Sequence, residues 1–282
     1  MTPPEAMHWQ TSRFQIDLSE PKVMAIVNLT PDSFSDGGVS DARAGIQRAA
    51  EALEAGADML DLGAESTRPG AIPLSESDEL ARLLPVLKAA VAWQVPISVD
   101  TYKPGVMRAA LDAGADIIND IWALRQPGAQ QVVAAHPGCG VCLMHMHRDP
   151  QTMQVAPMAG SVLPAVRSFL QSAAQSLLDA GMDRTRVVLD PGIGFGKASA
   201  ADNLRLMNGL SLFHGLGVPI LLGASRKRLI AALSDDAPTG KRLGGSIALA
   251  LKAAEQGAQI IRVHDVYESA QAIRIWAGHR AV

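Results

Sequence analysis

In this 282-residue chain, Asn28, Asp61, Asp100, Asn119, His145, Asp190, Ser225, Arg262 and His264 each stand at or just past the end of a short aliphatic run. A core strand has no need of carboxylates, and burying one without a partner is costly. Any single one of these residues reads equally well as a helix cap or a strand-end turn, since Asp and Asn favour both. Repetition over successive runs argues for polar groups gathered in one pocket above an apolar plug. Three loops add to the pattern. Asn28-Leu-Thr-Pro-Asp-Ser-Phe-Ser-Asp-Gly-Gly38 sets one aromatic, Phe34, among hydroxyl and acidic residues, as suits a lid over a polar ligand. Thr67 and Arg68 in Glu65-Ser-Thr-Arg-Pro-Gly70 could bind phosphate. Gly223-Ala-Ser-Arg-Lys-Arg228 places three basic residues where a helix starts, a position that favours an anion.

The runs are Val23–Asn28, Met59–Gly63, Ile97–Asp100, Asp116–Asn119, Val141–Met144, Arg186–Asp190, Pro219–Gly223 and Gln259–His264. Between them lie stretches of helical spacing such as Ala42–Ala55, Ser77–Ala92, Pro104–Ala113 and Leu163–Ala180. Strands alternating with helices predict parallel strands joined by right-handed crossovers. A weak repeat, Glu54-Ala-Gly-Ala-Asp58, Asp112-Ala-Gly-Ala-Asp116 and Glu255-Gln-Gly-Ala-Gln259, ends a helix and opens a strand each time. Its glycines suit a left-handed helix C-cap, as does Gly181 in Leu178-Asp-Ala-Gly181. An open doubly wound sheet is the alternative. The regular repeat, and the lack of a switch-point fingerprint after the first strand, favour a closed (β/α)₈ TIM barrel with its site at the C-terminal ends of the strands.

No linker divides the chain, so residues 1–282 read as one domain, with residues 1–21 as an N-terminal extension or short strands closing the barrel bottom. The length is near the roughly 250 residues usual for one such barrel. Hydrophobic residues at 48% and charged residues at 19% describe a globular protein, and a net charge of −3 offers no basic surface for nucleic acid or an anionic membrane. No signal peptide or membrane-length apolar run is visible. Cys139 and Cys142 cannot form a disulfide framework, and a reduced, cytoplasmic protein is expected.

Taken together, the motifs resemble those of the pterin-binding enzymes known as dihydropteroate synthases, from about Val23 to Val266. The diagnostic segments are the Asn28–Gly38 loop, Gly63-Ala-Glu-Ser-Thr-Arg-Pro-Gly70, Ser98-Val-Asp-Thr101, Ile118-Asn-Asp-Ile121, Leu143-Met-His-Met146, Asp190-Pro-Gly-Ile-Gly-Phe-Gly-Lys197, Ser225-Arg-Lys227 and Arg262-Val-His-Asp265. The resemblance implies a transferase of folate biosynthesis. It condenses (7,8-dihydropterin-6-yl)methyl diphosphate with 4-aminobenzoate, giving 7,8-dihydropteroate and pyrophosphate by dissociative loss of the leaving group. It also implies Mg²⁺, a homodimer, and sulfonamides as inhibitors.

Residue by residue, the resemblance assigns the pterin to Asp100, Asn119, Ile121, Met144, Asp190, Phe195, Gly223, Lys227 and Arg262. Asp190 takes the guanidine-like edge of the ring, because a carboxylate can accept two parallel N–H donors. Phe34, Thr67, Pro69, Phe195, Lys227 and Arg228 are expected to form the 4-aminobenzoate site. Asn28, Arg68, Arg262 and His264 are expected on pyrophosphate, with Asn28 also the magnesium contact; these four, with Thr67 and Lys227, make up the expected catalytic set. The chain departs from the family at Ala64, where a second glycine is common, and at Arg228, where many members carry a serine that holds the benzoate carboxylate.

Other signals carry less weight. Cys139-Gly-Val-Cys142 has metal or redox spacing but no matching context, and Gly192-Ile-Gly-Phe-Gly-Lys197 fits neither nucleotide-loop pattern. A corrinoid-linked pterin methyltransferase would have no use for the two loops or for Ser225-Arg-Lys227. A non-catalytic pterin binder should have lost Phe34, Thr67 or Arg68.

Overall fold

The computed structural model describes residues 7–29, 39–65, 72–150, 152–153, 155–158 and 160–280. A hairpin of β1 (His8–Gln10) and β2 (Gln15–Asp17) opens the chain. The parallel strands follow: β3 (Lys22–Asn28), β4 (Met59–Gly63), β5 (Ile97–Asp100), β6 (Ile117–Asp120), β7 (Gly140–Met144), β8 (Val187–Asp190), β9 (Leu221–Leu222) and β10 (Ile260–Val263). Between and after them run α1 (Val39–Glu54), α2 (Glu76–Val91), α3 (Pro104–Asp112), α4 (Ala129–Ala135), α5 (Val162–Asp179), α6 (Ala200–Asn208), α7 (Arg228–Ala232), α8 (Leu243–Glu255) and α9 (Val266–Arg280). Sheet order runs from β8 through β3 to β10 and β9, and a Leu189–Ile220 bridge joins the two edges. The eight parallel strands therefore form a nearly closed (β/α)₈ barrel.

Side-chain alternation along each strand sorts the core into two layers. Outward residues such as Val23, Leu60, Val99, Ile118, Leu143 and Leu189 pack against the helices. Inward residues Met24, Met59, Ile117, Cys142, Val188, Leu221 and Ile260 form a separate plug with Trp9, Ile16 and Leu18 of the hairpin. Trp9 is fully buried and donates its indole N–H to Arg186 O at 3.0 Å. The repeat glycines Gly56, Gly114, Gly181 and Gly257 all take positive φ, between 87° and 99°, so each is a left-handed cap after its helix.

Six of the eight strands differ in their bounds from the sequence expectation, three of them for a visible local reason. Pro219–Gly223 reduces to Leu221–Leu222, because Pro219 has no N–H to give a ladder. Asp116 stays outside β6 and uses its carboxylate to accept from Arg13 and from Ile97 N. Arg186 lies in a 3-10 turn ahead of β8, with its guanidinium on the carbonyls of Cys139, His136 and Val133. Trp9→Ala is expected to destabilise the protein by about 3–5 kcal/mol, read from urea denaturation. A loss under 1 kcal/mol would mean the hairpin does not seal the plug.

Candidate active site at the barrel mouth

The pleat that builds the plug also builds the mouth. One period of two residues above Met59 stands Asp61; above Ile117, Asn119; above Cys142, Met144; above Val188, Asp190; above Leu221, Gly223; above Ile260, Arg262. Asp100 stands likewise above Ser98, which pairs with Asp61 across the sheet. The structure thus brings Asp100, Asn119, Met144, Asp190, Gly223 and Arg262 to one level of the barrel interior.

Arg262 is the hub. Its Nε donates to Asp61 Oδ2 at 2.6 Å and its Nη2 to Asp100 Oδ2 at 2.7 Å. Asn119 Nδ2 donates to the same Asp61 oxygen at 3.0 Å. Asp61 has no exposed surface, and its other oxygen has no partner. From its own run Asp61 reads only as a strand-end residue. The signal was there, since a carboxylate in mid-strand demands a cation, but the partner is far away in sequence. Burial pushes the Asp100 carboxyl up against the pull of Arg262, helped by the nearby acids Asp61, Glu79 and Asp120. Burial alone would lower the Arg262 guanidinium, and Asp61 and Asp100 reverse that and hold it above its usual range.

Asp190 is almost fully buried and accepts from Gly192 N at 2.7 Å. Burial raises its carboxyl, while Lys227, that N–H, Lys197 and Arg262 draw it down. Lys227 donates to Ile193 O, and its ammonium lies 4.5 Å from the centre of the Phe195 ring. Burial pushes this lysine down to about 8 despite Asp190. Ile121, Met144 and Phe195 belong to one apolar patch with Met146, Met153 and Trp122. A Cβ at Gly223 would lie 3.8 Å from the Arg262 side chain, so the glycine leaves room beside it.

The Ser225-Arg-Lys-Arg228 cluster divides. Arg226 pairs with Asp265 and so ties the loop after β9 to the end of β10. Lys227 turns toward Asp190, and Arg228 is exposed at the first position of α7. α7 has only five residues, so the expected helix-dipole contribution to anion binding falls away and side chains must carry it. His264 Nδ1 lies 3.1 Å from Ser225 Oγ, which also accepts from His264 N at 3.2 Å. Asn28 ends β3 exposed, with its carbonyl accepting from Arg48.

His145, expected at the mouth, is placed elsewhere. Its ring meets the edge of Phe169 on α5 and contacts Lys197 beneath the loop after β8, because the strand alternation that points Met144 inward points its successor out. Phe34, Thr67, Arg68 and Pro69 lie outside the described residues. Chain on both sides of residues 66–71 is tied by Glu65, which accepts from Leu74 N at 2.8 Å, from Tyr102 OH at 2.8 Å and from Lys103. Cys139 and Cys142 are buried free thiols, and among the described residues no cluster of His, Cys, Asp or Glu could hold a metal. No helix among these residues is long and apolar enough to cross a membrane.

A model of the family described as "Pterin binding enzyme" matches residues 24–264. The dihydropteroate synthase of Neisseria meningitidis serogroup B is 45% identical over 274 residues, spanning 95% of this chain and 96% of its own. The crystal structure of Burkholderia cenocepacia dihydropteroate synthase complexed with 7,8-dihydropteroate matches with a TM-score of 0.90 at 45% identity, over 98% of this chain and 97% of that one. The Xanthomonas albilineans enzyme with 4-aminobenzoic acid gives 0.91 at 44% identity, over 98% and 100%. The chain belongs to the pterin-binding enzyme family, among its dihydropteroate synthases.

Proposed function

We propose that the barrel mouth performs the dihydropteroate synthase reaction by dissociative loss of pyrophosphate, with the pterin held on the plug and the leaving group held at the rim. The observation that carries this reading is the single level of Asp100, Asn119, Asp190 and Arg262 above an apolar floor, beside the Ile121–Met144–Phe195 patch. Asp190 accepts two adjacent N–H groups of the pterin edge, and Asp100 and Asn119 take other ring positions. Lys227 leaves Ile193 O to donate to the ring carbonyl and a neighbouring ring nitrogen. A site that matches polar groups in this way rejects an analogue lacking them by about 10⁴–10⁵.

Arg262 and His264 receive the diphosphate, joined by Arg68. A charge pair at ~4 Å is worth about 4 kcal/mol at an effective dielectric near 20, so a few cations account for much of the barrier reduction. The C–O electron pair departs with pyrophosphate, and the dihydropterin ring delocalises the positive charge left on the methylene. The neutral aniline of 4-aminobenzoate then forms the C–N bond and releases its proton. Arg228 offers its cation to the benzoate carboxylate where relatives use a hydroxyl, alongside Phe34, Thr67, Pro69, Phe195 and Lys227. Sulfonamides compete for that place.

Asn28, exposed at the end of β3, would hold a magnesium ion through its side-chain amide oxygen. One exposed amide oxygen, with no carboxylate cluster among the described residues, fits an ion whose other ligands are phosphates and water. Such an ion supplies neutralising charge to the departing pyrophosphate. Exposed Tyr267 and Ile275 on α9 and Leu243 on α8 offer an apolar face for pairing of two copies. The free thiols are in keeping with a cytoplasmic setting.

Three measurements test the reading. Pyrophosphate release from the dihydropterin ester is expected with Mg²⁺ alone as a single slow turnover, and steadily once 4-aminobenzoate is added, with dihydropteroate formed in equal amount. Strict dependence of the first release on 4-aminobenzoate would sink the dissociative order. Asp190→Ala is expected to abolish pterin binding in calorimetry, and wild-type affinity would remove that assignment. The kcat/KM for the pterin substrate is expected to fall as pH rises through about 8, the value to which burial lowers Lys227, because the stronger ammonium donor is lost there. Lys227→Arg should carry that limb to higher pH, and a flat wild-type profile well above pH 8 would refute the role.

A further inference from the structure

The glycine-rich loop after β8 ends in a lysine whose ammonium does not reach solvent. Lys197 is 3% exposed. Its Nζ lies 2.6 Å from Gly192 O, 2.9 Å from Pro191 O, 3.2 Å from His145 O and 2.9 Å from His145 Nδ1. None of these partners is a carboxylate. Burial and the neighbouring cations Lys197 and Arg125 push His145 down to about 2, so the imidazole is neutral. Three carbonyls converging on one nitrogen match the three N–H donors of an ammonium, whereas a neutral amine supplies two.

An ammonium buried against neutral groups is expensive, burial pushes Lys197 well below its ordinary range with Asp190 opposing it, and an uncharged side chain could tether the same carbonyls. The charge therefore needs a use, and the carboxylate it faces is Asp190, which begins the same turn. The loop is pressed onto the end of β7: a Cβ on Gly192 would meet His145 O at 2.0 Å, and φ there is +67°. Lys197 stands beneath that contact, 3.2 Å from where the Cβ would lie. Gly192 N in turn donates to Asp190 Oδ1, and the carbonyl of the next residue, Ile193, holds Lys227.

We propose that Lys197 is a positioning residue for pterin recognition: its ammonium, gripped by three carbonyls, fixes the Asp190–Gly192 turn and supplies positive charge to the Asp190 carboxylate. The proposal rests on the reading of Asp190 as the pterin contact. It also gives the two lysines different work. Lys227 is free to turn to substrate because Lys197 remains behind as the counter-charge.

The groups that face Asp190 are Lys227, Lys197, Arg262 and the Gly192 N–H. Without Lys197, burial is opposed by one cation fewer, and the carboxyl takes up its proton at higher pH. Since the ring edge needs the ionised form, pterin binding should then fail earlier as pH drops. Lys197→Gln keeps a donor for the carbonyls and removes the charge. Calorimetric binding of the dihydropterin ester is expected to show its acid limb moved up by about one pH unit, the loss reaching about tenfold below both limbs, since one unit corresponds to one tenfold step. The KM for 4-aminobenzoate should not change. Lys197→Arg, which restores the charge, should return the limb toward wild type, and Lys197→Met stands in if the glutamine variant does not fold. An unmoved limb, or a loss equal at every pH, overturns the proposal. Wild-type binding by Asp190→Ala would instead remove the reading beneath it, so the two failures are separable.

Discussion

A carboxylate sealed inside a barrel must find a partner, and Asp61 is sealed there with no exposed surface. Arg262 answers it from two strands away, β10 and β4 lying on either side of β3, and reaches on to Asp100 of β5. Removing one member of such a pair typically costs about 3–5 kcal/mol, because the survivor is left charged and unpaired. The guanidinium is thereby fixed before any ligand arrives, which is the condition under which an electrostatic contact stabilises a transition state without reorganising. Asn119 joins by donating to the same Asp61 oxygen, so four strands of the mouth share one anchor.

That anchor works only because the barrel is filled below it. Every mouth residue stands one pleat above a plug or barrel residue, and the bulky methionine, isoleucine, leucine and valine side chains of that layer set the depth at which a ring can rest. The hairpin seals the opposite end with Trp9, leaving the strand C-termini as the open face. Fold and site therefore draw on the same strands in alternate layers. A plug substitution that shortens a side chain lowers the floor as well as the stability.

Much of this was legible because strand alternation and strand-end polarity are local. Asp100, Asn119 and Asp190 could be named from their own runs. Asp61 could not be given work, since its meaning lies in Arg262 and only the closed barrel brings them together. His145 and Lys197 failed for a related reason. The alternation that points Met144 inward turns His145 out, and Lys197 meets it only because the loop after β8 folds back onto the end of β7. The basic run at Ser225–Arg228 misled in a different way. A charge run reads as one feature, yet Asp265 claims Arg226, Asp190 faces Lys227, and α7 is too short to add a dipole of consequence.

The distribution of perturbed groups bears on the order of the proposed chemistry. Burial and their neighbours shift the protonation of Asp100, Asp190, Lys227 and Arg262, which lie together in the mouth. His264 shares its Nδ1 with Ser225, His145 is buried neutral on the far side of β7, and Asp100, raised to about 7 by burial, is held by Arg262. A concerted displacement would need help for a weak nucleophile. A departure-first path needs a held ring, a stabilised pyrophosphate and a nucleophile that attacks a cation unaided. The mouth concentrates its fixed charge on the first two requirements, which is where a dissociative enzyme must place it.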